Sequence, residues 1–400
     1  MEKLLYLVHR LPYPPNKGDK IASFNLLKFL SSRYQVYLGC FIDDEVDWQY
    51  VDELKKYCVD SCVVGLNPKS SKIMSLRGLV TGEALSLPYY RNKNLQKWVD
   101  KTIEQEKIES VLVFSGVMAQ YVSPKLPLKG HSVLDLVDVD SDKWRLYAKD
   151  HLWPLSWLYL RESKKLLAYE SAMAEAFDAT VFVSEEEADF FKKLVPEVAN
   201  KVVFRVHGVD SQFFDSAISY DSPYPKDKII FVFAGAMDYW PNIDAAIWFA
   251  EEIFPLIKQQ VPDACFYVVG MNPSDEVIKL AENTDVFVTG SVPDIRSYIA
   301  GATISVAPLR IARGIQNKVL EAMAMEKPIL ATDNAMRGIR SYPEFTPVIA
   351  ETVEEMVAGA IELLAHLDEN NLSAARNCVL EHYNWDTNLK RVDALLVDGL

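Results

Sequence analysis

The chain has 400 residues, of which 50% are apolar and 24% are charged, and this composition is typical of a soluble globular enzyme. Its length exceeds one ordinary hydrophobic core, so two domains are expected. The formal net charge of −14 argues against a protein that coats nucleic acid, because phosphate binding along a nucleic acid needs clustered Lys and Arg.

Patterns at the N-terminus and in the cysteines indicate a cytoplasmic protein. The first apolar run is short and is followed by charged and Pro-rich residues, which predicts a buried strand and not a secretory signal. No apolar run approaches the roughly 18 residues of a membrane-spanning helix. The five cysteines lack metal-ligand spacing, so reduced thiols are expected in preference to a zinc site at Cys58 and Cys62.

In the first half of the chain, apolar runs alternate with helical patterns, which favours a parallel sheet covered on both faces. Helices are predicted to begin at Asp19, Asn94 and Trp157, and Ser184 with Glu187 forms a capping box for another. The predicted strands of this half are Leu4–Val8, Val36–Phe41, Cys62–Gly65, Val111–Phe114, Val133–Val137, Thr180–Val183 and Val202–Val206.

The loop after the first strand ends in Lys17, Gly18 and Asp19. A glycine lets the backbone approach a ligand, and a helix start can face an anion, so Lys17 and Gly18 are candidates for an acceptor- or phosphate-binding loop. The alternative is a simple turn with Asp19 as the N-cap of the helix. The sequence contains neither a Gly-x-Gly-x-x-Gly fingerprint nor a P-loop.

The strand ending near Val137 is followed by several carboxylates. Asp138 is expected at its C-terminal edge, where it is a candidate for catalysis or acceptor contact. A Mg²⁺ site is an alternative, because this ion prefers oxygen ligands. Another alternative is that Ser141 and Asp142 only cap a helix with an acidic first turn.

The segment Trp144–Tyr169 is rich in aromatic and basic residues. Such a helix can dock on an anionic membrane surface. The alternative is a long helix packed on the sheet with a solvated basic edge. The sequence favours the packed helix, because Glu162 and Glu170 interrupt the basic face.

The polar, Pro-rich stretch from Asp215 to Asp227 is the predicted linker. The predicted fold class is therefore α/β, with two doubly wound domains, residues 1–215 and 226–375, facing a ligand-binding cleft. The final stretch, Leu372 to Leu396, is predicted to be helical. The predicted strands of the second half are Ile229–Ala234, Cys265–Val269, Val286–Thr289, Ile304–Ala307, Ile329–Ala331 and Val348–Ile349, and its helices are Asn242–Gln260, Asp294–Ala300, Lys318–Met325 and one from Val353.

A further loop, from Gly235 to Asn242, follows the first strand of the second half. Gly235 can admit a ligand close to the backbone, and Asn242 is expected to cap the next helix. Tyr239 or Trp240 can stack on a nucleobase or can simply fill space near the linker. His207, at the end of a predicted strand, is more simply structural than a general base.

The most informative segment runs from Val306 to Thr332 and predicts a strand, a loop and a short helix. Its loop holds Arg310, Arg313 and Gly314, and Lys318 lies in the first turn of the helix. A helix N-terminus with an added cation suits a phosphate. Glu321, at i+3 from Lys318, can accept hydrogen bonds from two hydroxyl groups. A diphosphate beside a ribose satisfies this arrangement.

Taken in order, these segments resemble glycosyltransferase family 4, the retaining enzymes with two Rossmann-like domains and the GT-B fold. Residues 137–141 and 308–321 more narrowly resemble the sugar transferases of bacterial exopolysaccharide and exosortase-type systems. The resemblance covers nearly the whole chain. Its other carriers are residues 14–18, 183–185, 207–210, 233–245, 269–270, 290–294 and 314–324.

The resemblance implies a metal-independent enzyme without a cofactor, in which residues 376–400 pack back on the first domain. It implies that Glu321 binds the donor ribose and that the loop formed by Gly314, Ile315, Gln316, Asn317 and Lys318 holds the diphosphate. Asp138, Arg310 and Lys318 are the catalytic candidates, and Gly235 and Arg313 join the donor-binding set.

Two departures from the family pattern concern this site. The earlier of the family's paired glutamates falls on Arg313, and no cation stands between Gly235 and Trp240. Arg310 and Lys318 must therefore neutralise the leaving diphosphate, with Arg313 as a third cation.

The predicted function is a hexosyltransferase-type enzyme (EC 2.4) of cell-surface or exopolysaccharide synthesis. It uses a nucleotide-sugar donor and a glycan or lipid-linked acceptor, in the cytoplasm or on the inner face of the membrane. The alternatives are a nucleotide-sugar epimerase of the same fold and a non-catalytic nucleotide-sugar-binding protein.

Overall fold

The structure is a computed structural model that describes the whole chain except Asn16, Asp150, His207, Arg313 and Leu367, and except the side chains of Pro124 and Asp386. It divides into two compact units, residues 1–206 with 386–400, and residues 207–385. Each unit contains one parallel sheet with helices, which confirms the predicted α/β class. The stretch predicted as a linker, 215–227, lies inside the second unit.

The first unit is built on seven parallel strands in the order β3-β2-β1-β4-β5-β6-β7. The inner strands are continuous apolar runs, and Leu4 to Val8 of β1 are fully buried, as expected where helices cover both faces of a sheet. The strands are β1 (Lys3–Val8), β2 (Gln35–Ile42), β3 (Asp60–Gly65), β4 (Ser110–Phe114), β5 (Ser132–Val137), β6 (Ala179–Phe182) and β7 (Val202–Phe204).

The helices of this unit include the long α8 and the short α3 to α5 that adjoin it. The α-helices are α1 (Gly18–Ser31), α2 (Val51–Leu54), α3 (Pro68–Ser75), α4 (Arg77–Thr81), α5 (Ser86–Tyr89), α6 (Lys93–Glu106), α7 (Asp140–Lys149), α8 (Leu155–Ala176) and α9 (Glu185–Leu194). Short 3-10 turns span Glu45–Tyr50, Gly116–Tyr121, Ser123–Lys125 and Pro196–Lys201.

The second unit is built on six parallel strands in the order β10-β9-β8-β11-β12-β13. Because β8 lies between β9 and β11, the loops that follow β8 and β11 are neighbours at the C-terminal edge of this sheet. The strands are β8 (Ile229–Ala234), β9 (Ala264–Val269), β10 (Val286–Gly290), β11 (Ile304–Ala307), β12 (Ile329–Ala331) and β13 (Val348–Ile349).

Helices flank this sheet, and the last of them begins where the second unit ends. The helices of the second unit are α10 (Trp240–Trp248), a π-helical turn (Phe249–Ile253), α11 (Phe254–Gln260), α12 (Asp275–Lys279), a 3-10 turn (Leu280–Glu282), α13 (Ile295–Gly301), α14 (Asn317–Ala324), α15 (Asp333–Met336), α16 (Val353–Ala365) and α17 (Glu369–His382). The last helix, α18 (Trp385–Val397), belongs to the first unit from residue 386 onward.

Every predicted strand is present, with ends shifted by at most a few residues. The helix expected from Asn242 to Gln260 is present and contains a π-helical turn at Phe249–Ile253. Another helix prediction was wrong. The helix expected from Leu372 to Leu396 is broken at Tyr383, whose carbonyl accepts a hydrogen bond from the Val209 N–H at 2.8 Å.

Throughout the part of the chain that the structure describes, the helices are too short or too polar to cross a bilayer.

Candidate active site

The candidate donor site lies at the C-terminal edge of the second sheet, between the loop that follows β8 and the start of α14. β11 ends at Ala307, and α14 begins at Asn317. Gly314, in the intervening loop, has a φ of +62°, a left-handed conformation that glycine adopts without steric cost. This turn leads the chain into α14, whose first backbone N–H groups and partial positive charge favour an anion.

Lys318 lies in the first turn of α14 and reaches toward the loop after β8. Its Nζ donates to Asn242 Oδ1 at 2.7 Å and lies 5.2 Å from the centroid of the Phe233 ring. Burial lowers the pKa of the Lys318 ammonium to about 8, although the negative charge of Glu321 opposes this shift. A desolvated cation gains from a phosphate counter-charge, so this position suits the diphosphate of a nucleotide.

Glu321 follows one turn later on the same face of α14, as its spacing from Lys318 predicts. Burial raises the pKa of the Glu321 carboxyl to about 7, opposed by the charge of Lys318. The nearby Asn317 Oδ1 is also buried, and the described residues supply it with no hydrogen-bond partner. A buried acceptor without a donor is costly, and a ligand with hydroxyl groups would satisfy it.

Glycines bring the backbone of this edge close together. A Cβ on Gly270, which follows β9, would lie 1.6 Å from the carbonyl oxygen of Gly235. A Cβ on Gly235 would in turn lie 2.8 Å from Asn242 Nδ2 and 3.4 Å from Lys318 Cε. Only glycine fits at position 270, and a Cβ at position 235 would crowd Asn242. The approach of a ligand to the backbone at Gly235 stays a prediction.

Asn242 has a different role from the one predicted. The helix begins at Trp240 with Tyr239 as its N-cap, so the prediction that Asn242 caps it was wrong. Asn242 is instead buried, and its amide Nδ2 donates to the carbonyl of Ala236 at 2.9 Å while its Oδ1 accepts from Lys318. It therefore fixes Lys318 to the loop after β8.

Arg310 forms an ion pair with Asp244, which lies in α10 beside Asn242. Its guanidinium donates to both carboxylate oxygens of Asp244, at 3.0 and 2.5 Å, and lies 5.2 Å from the Trp248 ring. The hydrogen bonds that Arg310 donates to the Asp244 carboxylate raise the pKa of the Arg310 guanidinium. The Arg310 side chain is 48% exposed, so solvent and any ligand can reach it, but Asp244 already balances its charge.

The other predicted donor-site residues lie in the loop before α14. Gln316 donates from Nε2 to the carbonyl of Gly314 at 3.2 Å, and Ile315 between them is partly buried. Arg313 lies outside the described residues.

In the first unit, Lys17 and Gly18 are exposed at the start of α1. The alternative with Asp19 as N-cap was wrong, because Lys17 occupies the N-cap and Asp19 lies inside the helix. Asp19 pairs with Arg10 at 2.8 Å and with His9 at 3.3 Å. Burial raises the pKa of Asp19, but these two partners outweigh burial and hold it well below its ordinary value.

Asp138 directly follows β5, as predicted. Its carboxylate lies 3.0 Å from Lys143 Nζ, which also contacts Asp140 at 2.9 Å. The preceding Val137 has a φ of +70°, a strained conformation for a β-branched residue that often marks a functional edge. Ser141 and Asp142 lie inside the first turn of α7, which begins at Asp140, so neither is its N-cap. The described residues contain no group of three or more metal-ligating side chains.

The contacts of Asn242 and Asp244 with Lys318 and Arg310 were not predicted from the sequence. A signal was available, because both are polar residues in an otherwise apolar helical stretch. Buried polar side chains need partners, and the cations of the neighbouring loop are such partners.

Residues 228–366 match the family model for glycosyl transferases group 1. A relative from Klebsiella pneumoniae, an uncharacterized 44.6 kDa protein in the cps region, is 20% identical over 354 residues, 84% of each chain.

Two solved structures are similar along almost their full length. Sucrose-phosphate synthase from Thermosynechococcus elongatus has a TM-score of 0.71 at 15% identity, covering 99% of this chain and 98% of that chain. HepE from Anabaena, solved in complex with UDP-glucose, has a TM-score of 0.66 at 14% identity, covering 99% of each chain.

The structural matches confirm the GT-B fold that the family resemblance implied. The family match spans Gly235, Asn242, Lys318 and Glu321 of the candidate site. The chain is therefore a glycosyltransferase of the GT-B type, which is the enzyme class that the sequence predicts.

Proposed function

We propose that the chain transfers a sugar from a nucleotide-diphosphate donor to a glycan or lipid-linked glycan, with retention of configuration. The observation that supports this most directly is the arrangement of Lys318 and Glu321 on one face of α14, beside the glycine loop. The cation suits a diphosphate, and the carboxylate suits the hydroxyl groups of a ribose. HepE, which was solved with UDP-glucose, makes a nucleotide sugar a reasonable donor here.

In the proposed reaction, negative charge builds on the β-phosphate as it leaves the anomeric carbon. Lys318 and the N-terminus of α14 stabilise that charge, and groups so placed each contribute about 3–4 kcal/mol to lowering a barrier. Arg310 assists when its guanidinium reaches the phosphate, with Asp244 as its support. The departing phosphate accepts the proton of the acceptor on the same face, which retains configuration without a protein nucleophile.

Asp138 is proposed to contact the acceptor, and Lys17 and Gly18 to line the acceptor or phosphate loop. The proposed reaction uses no metal and no cofactor, so turnover should be the same with and without EDTA.

The proposed setting is synthesis of a bacterial surface polysaccharide. The Klebsiella pneumoniae relative lies in a cps region, and the sequence resembles sugar transferases of exopolysaccharide systems. A lipid-linked acceptor would require the enzyme to work at the inner face of the cytoplasmic membrane, where Trp144–Tyr169 supplies the proposed contact.

The test is ¹H NMR of the protein incubated with UDP-glucose and, in parallel, with GDP-, ADP- and CMP-sugars. We expect slow hydrolysis of one donor, with the released sugar appearing first in the anomeric configuration of that donor. Inversion would contradict the retaining mechanism. A 2-epimer of the intact donor would instead indicate an epimerase, and binding without turnover of any donor would indicate a non-catalytic protein.

A further inference from the structure

Two segments of the first unit expose an unusual amount of apolar surface. On α3 and α4, Val80 is 91% exposed and Ile73 is 71% exposed. In the turn just before α8, Leu152 and Trp153 are 89% and 81% exposed. Large exposed apolar side chains in clusters mark interaction surfaces. The further exposed members are Met74, Leu76, Leu79, Leu155, Trp157 and Leu160.

Hydrogen bonds join the two segments side by side. Arg161 of α8 donates to the carbonyls of Gly78 and Glu83, the latter at 3.1 Å. The neighbouring Glu162 accepts from the backbone N–H groups of Leu85 and Ser86, at 2.6 and 2.9 Å. Residues 68–81 and 152–165 therefore adjoin, and together they are called the α3–α8 surface.

The α3–α8 surface has a positive net charge, although the chain as a whole has a net charge of −14. Residues 68–81 contain Lys69, Lys72 and Arg77 and no acidic residue. Residues 152–165 contain three more cations, and Lys164 and Lys165 among them are exposed. The single acidic residue of both segments is Glu162.

Glu162 does not weaken this positive surface. It is 2% exposed, and its carboxylate caps the first turn of α5. Glu170 is equally buried and accepts hydrogen bonds from the N–H and hydroxyl of Ser141, at 3.1 and 2.6 Å. The two glutamates that argued against a basic face in the sequence are therefore turned inward to bind helix termini.

We propose that the α3–α8 surface docks on an anionic phospholipid bilayer, with its Trp and aliphatic side chains entering the headgroup boundary. Exposed Trp and Leu flanked by Lys and Arg are the combination that such interfaces bind. Protein–protein interfaces are instead depleted in Lys. The proposal deepens the membrane contact of the proposed function by adding α3 and α4 to it.

The test is flotation of the full-length protein with vesicles of phosphatidylcholine alone or mixed with phosphatidylglycerol. We expect binding to the mixed vesicles only.

A cation near such a surface contributes about fivefold in affinity, so Lys69→Glu with Lys72→Glu should weaken binding at least ~25-fold. Leu79→Ser with Val80→Ser should also release the protein. The matched controls are Lys97→Glu and Val46→Ser with Val59→Ser, which change exposed residues outside the surface and should float normally.

Equal flotation of the α3–α8 variants and the controls would overturn the proposal. Equal binding to both kinds of vesicle would overturn the role of charge. A concentration-dependent dimer in sedimentation, abolished by Leu79→Ser with Val80→Ser, would assign the surface to a second copy of the chain. A single cooperative unfolding transition in a thermal-shift assay, at the temperature of the unmodified protein, checks that each variant is folded. Intact nucleotide binding without flotation rejects this proposal alone, and flotation without binding of any nucleotide rejects the proposed function alone.

Discussion

The ammonium of Lys318 lies 2.7 Å from the side-chain oxygen of Asn242, and this contact joins the start of α14 to the first turn of α10. Because the Asn242 amide also binds the Ala236 carbonyl, one residue holds both the cation and the backbone that face the candidate donor site. Asn242 is thus a positioning residue for Lys318.

Replacing Asn242 should weaken nucleotide binding without unfolding the protein. A hydrogen bond to a charged group is worth about 1.5–3 kcal/mol, so Asn242→Ala should lower affinity for the cognate nucleotide at least ~10-fold in calorimetry. Asn283→Ala, an exposed change in the same unit, is the matched control. An Asn242→Ala protein that binds as tightly as the control would show that Lys318 needs no positioning.

Nucleotide affinity should have a maximum between about pH 7 and pH 8. Above the Lys318 pKa of about 8, the free protein loses the ammonium that a diphosphate needs, so binding must take up a proton and weakens. Below the Glu321 pKa of about 7, the carboxyl is protonated and accepts hydroxyl hydrogen bonds poorly, so binding must release a proton. Titrations in buffers of different ionisation enthalpy measure this uptake and release.

Variants separate the two limbs of this profile. Lys318→Met should remove the alkaline limb, and Glu321→Gln should remove the acidic one. Asn242→Asp should move the alkaline limb to higher pH, since a carboxylate raises the pKa of a neighbouring ammonium. A flat profile in the unmodified protein would contradict the assignment of either group.

Asp244 and Arg310 should act as one unit. Because both carboxylate oxygens of Asp244 orient the guanidinium, Arg310→Ala and Asp244→Asn should both lower kcat, with the larger loss, up to ~100-fold, for Arg310→Ala. The double variant should be no worse than Arg310→Ala alone, because the two residues share one effect. An Asp244→Asn protein with higher kcat would show that Asp244 withholds Arg310 from the substrate.

Gly270→Ala should strongly destabilise the second unit. Its added Cβ would lie 1.6 Å from the Gly235 carbonyl oxygen, and relieving this clash requires backbone movement that costs at least ~1–3 kcal/mol. Urea unfolding measures the loss. Gly18→Ala, at the first position of α1, is the control and should leave the free energy of unfolding nearly unchanged. Equal free energies of unfolding for the two variants would contradict this prediction, because the loop after β8 would then move aside at no cost.

Local patterns predicted the strands and the helix α14, because these depend on short-range order. The strands are apolar runs between turn residues, and α14 keeps Lys318 and Glu321 one turn apart wherever it packs. The roles of Asn242 and Asp244 depend on pairing between neighbouring strands. Asn is a favoured N-cap residue, which led to the prediction for Asn242. Pro241 fits the first turn of a helix, and α10 begins at Trp240, so Asn242 lies inside the helix.

Long-range contacts explain the other errors. The break between α17 and α18 depends on Val209, far away in sequence. Likewise, helical periodicity predicted that Glu162 and Glu170 face solvent. Both carboxylates instead lie inside the first unit, where they accept hydrogen bonds from backbone N–H groups at the starts of α5 and α7. A single sequence does not show which helix terminus will meet a distant carboxylate.

The central claim is that Lys318 and Glu321 hold the diphosphate and ribose of a nucleotide. Calorimetric titration with UDP, GDP, ADP and CMP, first on the unmodified protein, identifies the nucleotide that binds. Lys318→Ala and Glu321→Ala should then each weaken its binding at least ~10-fold, whereas Lys279→Ala and Glu354→Ala, exposed residues of the same unit, should bind normally. Unchanged affinity in Lys318→Ala and Glu321→Ala would contradict the account.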